Sequence, residues 1–375
     1  MRQDSTIEAF FILTRAGLFG RTEHIDSMQL DDVDWAEVCH LAEKQSMVGL
    51  VEEGVELIQD EWFRVHGTSL VPKKWAVQLV AATMQLEQYN LAMNKFIARL
   101  VRKLRKNDIH TLLVKGQGVA LSYNKPLWRA CGDVDLLLSE ENYQRAKSFL
   151  LPFASYSEPE NLYKKHFGLK IGGWGVELHG SLRCGFSSRI DKELDIMCHE
   201  TFNGGNVTSW MNRKVEIFSL GKENHVLYVF VHFLNHFYKG GVGLKQICDW
   251  CRLLWSSKDS LDLGRLESRL KDMKLMSEWR AFGMYAVQYL GMPENALPFY
   301  SDSEKWKHKA KRIHLFIMET GYMGVNREKS PNTYLSRKVK SSKQRFRDLA
   351  NHLMIFPLDT IRFFPSILLN GIRQK

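Results

Sequence analysis

The stretch RACGDVDLLLSEENY, residues 129–143, sets Asp133 and Asp135 two positions apart and follows them with Leu136, Leu137 and Leu138. The apolar run reads as a buried strand. On a strand, residues i and i+2 face the same side. Asp133 and Asp135 therefore project together, while Val134, Leu136 and Leu138 face the other way. Two carboxylates held close together repel unless a cation lies between them. Magnesium or manganese prefers hard oxygen ligands and often binds through a few carboxylates plus substrate phosphates. An Asp-x-Asp at a strand end is thus a candidate metal site, although by itself it reads equally as a solvated strand end. Ser139 then starts a helix as its N-cap, with Glu140 and Glu141 in the first turn.

The flanking segments extend the pattern. Upstream, LLVKGQGVALSY (112–123) ends a strand in Lys115-Gly116 and begins a short helix at Gln117. Glycine lets backbone amides approach a ligand closely, and a helix start suits a phosphate. Lys115 or Arg129 offers a cation for a triphosphate. Downstream, GVELHGSL (175–182) alternates Glu177 with Val176 and Leu178 on a predicted strand, with His179 facing the same side as Glu177. If that strand lies beside the Asp-x-Asp strand, Glu177 completes a cluster of three carboxylates. Metals held there would position a triphosphate and neutralise charge on the transferred group.

In this order, VKG, YNKPLWRACGDVDLLL and GVELHGSL resemble the nucleotidyltransferase superfamily with the polymerase-β-type core. The chain is most similar to a poorly characterised bacterial branch of it. The matching positions are Lys115, Gly116, Arg129, Gly132, Asp133, Asp135, Glu177 and His179. The segment VHFLNHFYKGGVGLKQICDW, with His232, His236 and Asp249, resembles the C-terminal region of that branch. The resemblance covers roughly residues 30–290. It implies an Mg2+-dependent enzyme (Mn2+ as the variant) that moves a nucleoside monophosphate from an NTP to an acceptor hydroxyl. Asp133, Asp135 and Glu177 would be the catalytic metal ligands. Lys115, Gly116, Gln117, Arg129, Gly132 and His179 would be the nucleotide-binding set. Two departures stand out: Gly116-Gln117 replaces the usual Gly-Ser or Gly-Gly, and the third acid is Glu rather than Asp.

Around this core the pattern is helical. Residues 31–58 and 73–107 carry apolar residues at three- and four-residue spacing. Helical patterns return after residue 222. The expected fold is α+β: a small mixed-sheet core over 109–220, an N-terminal helical region over 1–108, a C-terminal helical domain over 221–300, and a basic, partly helical tail over 301–375. The tail holds 16 Lys and Arg against 6 Asp and Glu, while the other 300 residues carry 36 of each sign. The net charge of +10 therefore belongs to the tail. A basic tail suits an anionic partner, nucleic acid or a membrane surface, or is simply a solvated helical face. The apolar end, LANHLMIFPLDTIRFFPSILLNGI (349–372), is expected to dock on the core.

Composition is that of an ordinary globular chain, 45% apolar and 25% charged, which excludes global disorder. Six scattered cysteines give no disulfide framework. IEAFFILTRAGLFG is broken by Arg15 and reads as a helix, no run is long enough to span a membrane, and the cytoplasm is the expected compartment. His232-x3-His236 with Cys248-x2-Cys251 has zinc-like spacing, but pairs on helices more often pack a hairpin. Trp128 and Trp174 could stack on a base, and Asp191 or Asp195 is a rival third acid on a surface helix. The rival functions are a non-catalytic scaffold of the same fold and a binder that acts through the basic tail. Neither the acceptor, which could be a small molecule, sugar, protein or nucleic acid, nor the base preference is legible.

Overall fold

The computed structural model describes residues 2–22, 30–320 and 347–373, with side chains from 5 to 365 within those ranges. Among the described residues four α-helices come first: α1 (Arg2–Phe19), α2 (Trp35–Lys44), α3 (Val48–His66) and α4 (Lys73–Arg105). The Asp34 carboxylate caps α2 by accepting from the Ala36 and Glu37 amides. α4 closes with Arg102, Lys103 and Arg105 in its last turn, where the helix dipole favours cations.

The α/β core follows. It comprises β1 (Leu112–Leu113), the one-turn α5 (Gln117–Ala120), β2 (Asp133–Leu137), α6 (Glu140–Leu150), β3 (Tyr156–Ser157), β4 (His166–Ile171), β5 (Trp174–His179), α7 (Ser188–Asn203), β6 (Val207–Asn212) and β7 (Val215–Leu220). The strands form one mixed sheet in the order β3-β4-β5-β2-β1-β7-β6. β2 runs parallel to β5, and β1 runs parallel to β7. The β4–β5 hairpin turns at Gly172 and Gly173, both at positive φ. The β6–β7 hairpin adds an edge that no sequence motif singled out.

The apolar run of β2 is unbroken because the strand is covered on both faces. Val134, Leu136 and Leu138 pack with Phe96, Val101 and Leu104 of α4 and with Tyr143 and Ala146 of α6. Leu137, Leu112 and Val114 join a second cluster that extends through the helices on either side of the core. Those later helices are α8 (Lys222–Lys239), α9 (Leu244–Ser257), α10 (Leu263–Met273), α11 (Met276–Leu290), α12 (Glu304–Thr320) and, after helical residues 347–355, α13 (Pro357–Arg373).

The same cluster takes in Phe10 of α1 and Trp62 of α3 together with Phe233, Trp250 and Trp279. The apolar C-terminal segment docks on it: Phe363 stacks on Phe186 with ring centroids 3.9 Å apart, and Phe356 is buried beside Phe237. The basic residues 325–346 lie outside the described residues. Among the described residues no helix is long and apolar enough to cross a membrane.

α1 and α3 touch through glycine on both sides. A Cβ at Gly17 would run into the Leu50 carbonyl, and one at Gly54 would run into that of Leu13. Both obstacles are backbone and cannot rotate away. Gly54→Ala should therefore cost about 1–3 kcal/mol by overpacking, read as a lower urea midpoint at unchanged slope.

Candidate active site

β2 and β5 lie side by side with Asp135 opposite Glu177 and Asp133 opposite Gly175. Parallel pairing in this register puts Asp133, Asp135, Glu177 and His179 on one face. A Cβ at position 175 would lie 2.5 Å from Asp133 Oδ1, so glycine there leaves the carboxylate its place. β1 delivers Lys115 from the other side of β2. Its ammonium lies 2.6 Å from Asp135 Oδ1 and 3.9 Å from Glu177 Oε2. The turn at Gly116 has φ 58° and ψ −122°, a conformation that strongly favours glycine.

The face opens into a cleft of about 980 Å³, of the size that binds small molecules. Its opposite wall is α8, with Tyr228, His232, Asn235 and His236, and its rim includes Lys164. A smaller cavity of about 150 Å³ adjoins it and reaches Gly116, Gly132, Arg129 and Lys245.

The charges explain the titration. Burial alone would lower Lys115, but the carboxylates of Asp135 and Glu177 outweigh it and hold the ammonium above the usual lysine value. Burial works upward on Glu177, yet hydrogen bonds from His166 and His179, with the charge of Lys115, keep it well below the carboxylate range. Burial lowers His179, but its contacts with Asp135 (3.0 Å) and Glu177 (3.4 Å) raise it on balance. Burial and the neighbouring Glu177 and Asp135 carboxylates push Asp133 up. No hydrogen bond or ion pair to the Asp133 carboxylate is seen among the described residues. Asp133 is therefore the acid that an added cation would relieve most, and the hard-oxygen donors around it fit magnesium.

Arg129 has other partners than a phosphate. Its Nε and Nη2 donate to the two oxygens of Asp249 on α9, at 2.8 and 2.5 Å, and Nη1 donates to the Gly116 carbonyl at 3.1 Å. Tyr123 donates its hydroxyl to the same Asp249. Asn90 of α4 donates to the carbonyls of Leu127 and Arg129, and Gln117 donates to Asn90. Gln117 thus points into the core, and Arg129 positions the Lys115-Gly116 turn. His225 of α8 donates to the Val114 carbonyl, fastening the end of β1.

Other sequence candidates fall elsewhere. Asp191 is not on a solvated surface: it is buried and accepts from the amides of Cys184 and Gly185 and from the Tyr163 hydroxyl. Asp195 pairs with Arg183. His232 and His236 meet each other at 3.2 Å on the cleft wall, whereas Cys248 and Cys251 are fully buried in the core. Trp174 packs against Tyr89 and Phe96, and Trp128 donates to Glu87.

Sequence reasoning missed His166. It lies 3.2 Å from Glu177 and opposite His179 across the hairpin. The signal was present: counting back from a two-residue turn at Gly172-Gly173 pairs Ile171 with Trp174 and His166 with His179.

A family described as uncharacterised nucleotidyltransferase matches residues 31–291, which includes the whole sheet and both walls of the cleft. The chain belongs to this nucleotidyltransferase family. The match ends within the helical region and leaves the tail outside. No curated protein and no solved structure matches the chain. The nucleotidyltransferase segment therefore contains Lys115, Asp133, Asp135, Glu177 and His179, together with the Arg129–Asp249 pair that supports them.

Two outcomes are expected. Removing one partner of a buried ion pair strands the other charge, so Asp249→Leu should cost about 3–5 kcal/mol. The double variant Arg129→Met/Asp249→Leu should recover part of this, as urea midpoints would show. His225 is lowered to about 4 by burial, partly offset by its bond to Val114. The unfolded chain takes up that proton first, so stability should fall as pH drops from the ordinary histidine value towards 4. His225→Gln should flatten that part of the stability–pH curve.

Proposed function

We propose that this nucleotidyltransferase moves a nucleoside monophosphate from an NTP to an acceptor hydroxyl, with Asp133, Asp135 and Glu177 holding Mg2+. The observation that carries the reading is the convergence of those carboxylates on one face of two parallel strands, beside Lys115, at a cleft large enough for a nucleotide. A binding scaffold has no need to converge three acids on one face.

The acceptor hydroxyl gives up its proton to solvent as its oxygen attacks the α-phosphorus, the bond to the bridging oxygen breaks, and pyrophosphate leaves with the electron pair. The magnesium, when bound, neutralises charge on the phosphates and lowers the pKa of the attacking hydroxyl. Asp133 and Asp135 bring oxygen ligands from β2, and Glu177 brings one from β5. Lys115 offers its ammonium to the phosphates in exchange for Asp135. The Gly116 turn, held by Arg129, lets the backbone come close to them. The α8 wall, with Tyr228 and His232, closes the cleft opposite the acids.

Calorimetric titration of each of the four NTPs, with and without Mg2+, tests this. At least one NTP should bind in a metal-dependent way. Asp133→Asn/Asp135→Asn should weaken that binding by at least about tenfold. If no NTP binds to the wild-type chain with Mg2+ present, the reading fails.

A further inference from the structure

We infer that His166, Glu177 and His179 form a second metal site, with mixed nitrogen and oxygen donors, that takes a transition ion of the zinc class. One donor atom from each residue lies within 4.8 Å of the other two. Both imidazoles turn the same atom, Nε2, toward a single oxygen, Glu177 Oε2, at 3.2 and 3.4 Å. An ion with bonds of roughly 2.0–2.2 Å in a tetrahedral site sets neighbouring ligands about 3.3–3.6 Å apart, close to the two histidine–carboxylate spacings already present.

Hydrogen bonding alone satisfies the arrangement poorly. His179 Nε2 faces Asp135 Oδ1 at 3.0 Å as well as Glu177. A ring nitrogen has one in-plane direction for a proton or a lone pair, and it cannot serve two acids fully. An ion between the side chains takes that lone pair and leaves Asp135 and Glu177 both facing positive charge.

The fold supplies the convergence. Antiparallel pairing of β4 with β5 places His166 opposite His179, with ring centroids 4.9 Å apart. Lys115 borders this cluster without bonding to it: its ammonium is bound to Asp135 at 2.6 Å and stands 3.9 Å from Glu177 Oε2. The Glu177 and His166 side chains keep 32% and 27% of their exposure, so an ion can enter from the cleft. Imidazole nitrogen shifts preference away from magnesium and toward zinc, cobalt and their neighbours. The two positions then differ in chemistry: all oxygen at Asp133, nitrogen-rich at Glu177.

The site shares Glu177 with the proposed nucleotide site, so its test uses metal without nucleotide. The full chain, stripped with EDTA, is titrated with ZnCl2 and separately with MgCl2 by calorimetry, and with CoCl2 by visible absorption. One Zn2+ per chain should bind, at least about tenfold more tightly than Mg2+, with a cobalt spectrum of nitrogen ligation. His166→Ala, at the partly exposed position, should weaken Zn2+ by at least about tenfold while far-ultraviolet circular dichroism stays unchanged. Glu177→Gln should do the same. Asp133→Asn keeps all three zinc donors, so it should weaken Zn2+ far less than His166→Ala does while it removes metal-dependent NTP binding, and the two readings fail separately. Absence of Zn2+ and Co2+ binding, or Zn2+ binding unchanged in His166→Ala, would overturn the inference.

Discussion

The buried ion pair between Arg129 and Asp249 is where the three parts of the chain meet. Arg129 precedes β2, Asp249 sits on α9 well over a hundred residues later, and Asn90 of α4 holds the backbone of Arg129 from the N-terminal side. Burying two charges is costly, and their attraction offsets the cost only when geometry is good and the remaining polar atoms are satisfied. Here they are: both Asp249 oxygens accept from the guanidinium, Tyr123 adds a third donor, and the spare nitrogen of Arg129 goes to Gly116. A pair of hydrophobic side chains could fill the same space. It could not bond to the Gly116 carbonyl, and that bond fixes the turn that follows Lys115.

With the turn fixed, the charge balance on the sheet follows. Lys115 is delivered from β1, beside the two strands that carry three acids, and it bonds to Asp135 at 2.6 Å. His166 and His179 meet Glu177 from the hairpin side. Asp133, at the mouth of the strand, has its charge opposed by its own neighbours. Among the described residues the acid with no bonded partner is thus Asp133, and it lies where the cleft opens.

How much of this could be read from the sequence depends on the range of the interaction. Asp133 and Asp135 were legible because strand periodicity is local. Glu177 needed one assumption, that its strand lies beside β2, and the parallel β2–β5 pairing meets it. His166 needed only hairpin counting from Gly172-Gly173, yet it sat just outside the stretch that drew attention. Arg129 was legible as a cation near the turn, whereas its pairing with Asp249 was not, because that is fixed by tertiary packing alone. Asp191 looked like a solvated surface acid because its helix is amphipathic, and nothing local says that the Cys184–Gly185 backbone folds over it. The glycines that let α1 and α3 touch carry no local signature at all.

The same long-range logic governs the far wall of the cleft. α8 carries His232 and His236 toward the acids, while Phe237 and Tyr238 lie among Phe282, Phe316, Phe356 and Phe363. Two of those rings, Phe356 and Phe363, come from the docked C-terminal segment, beyond the part of the chain that the nucleotidyltransferase family covers. Aromatic contacts of this kind are large in area and specific in geometry, so they fix where α8 stands along the sheet. His225, one turn into the same helix, ties it to Val114 at the end of β1. The distance across the cleft is thus set at two places: by a hydrogen bond at the strand end, and by rings from the C-terminal segment on the helix's far half. The docked C-terminal segment is part of what shapes the site, although among the described residues it contributes no side chain to the cleft lining.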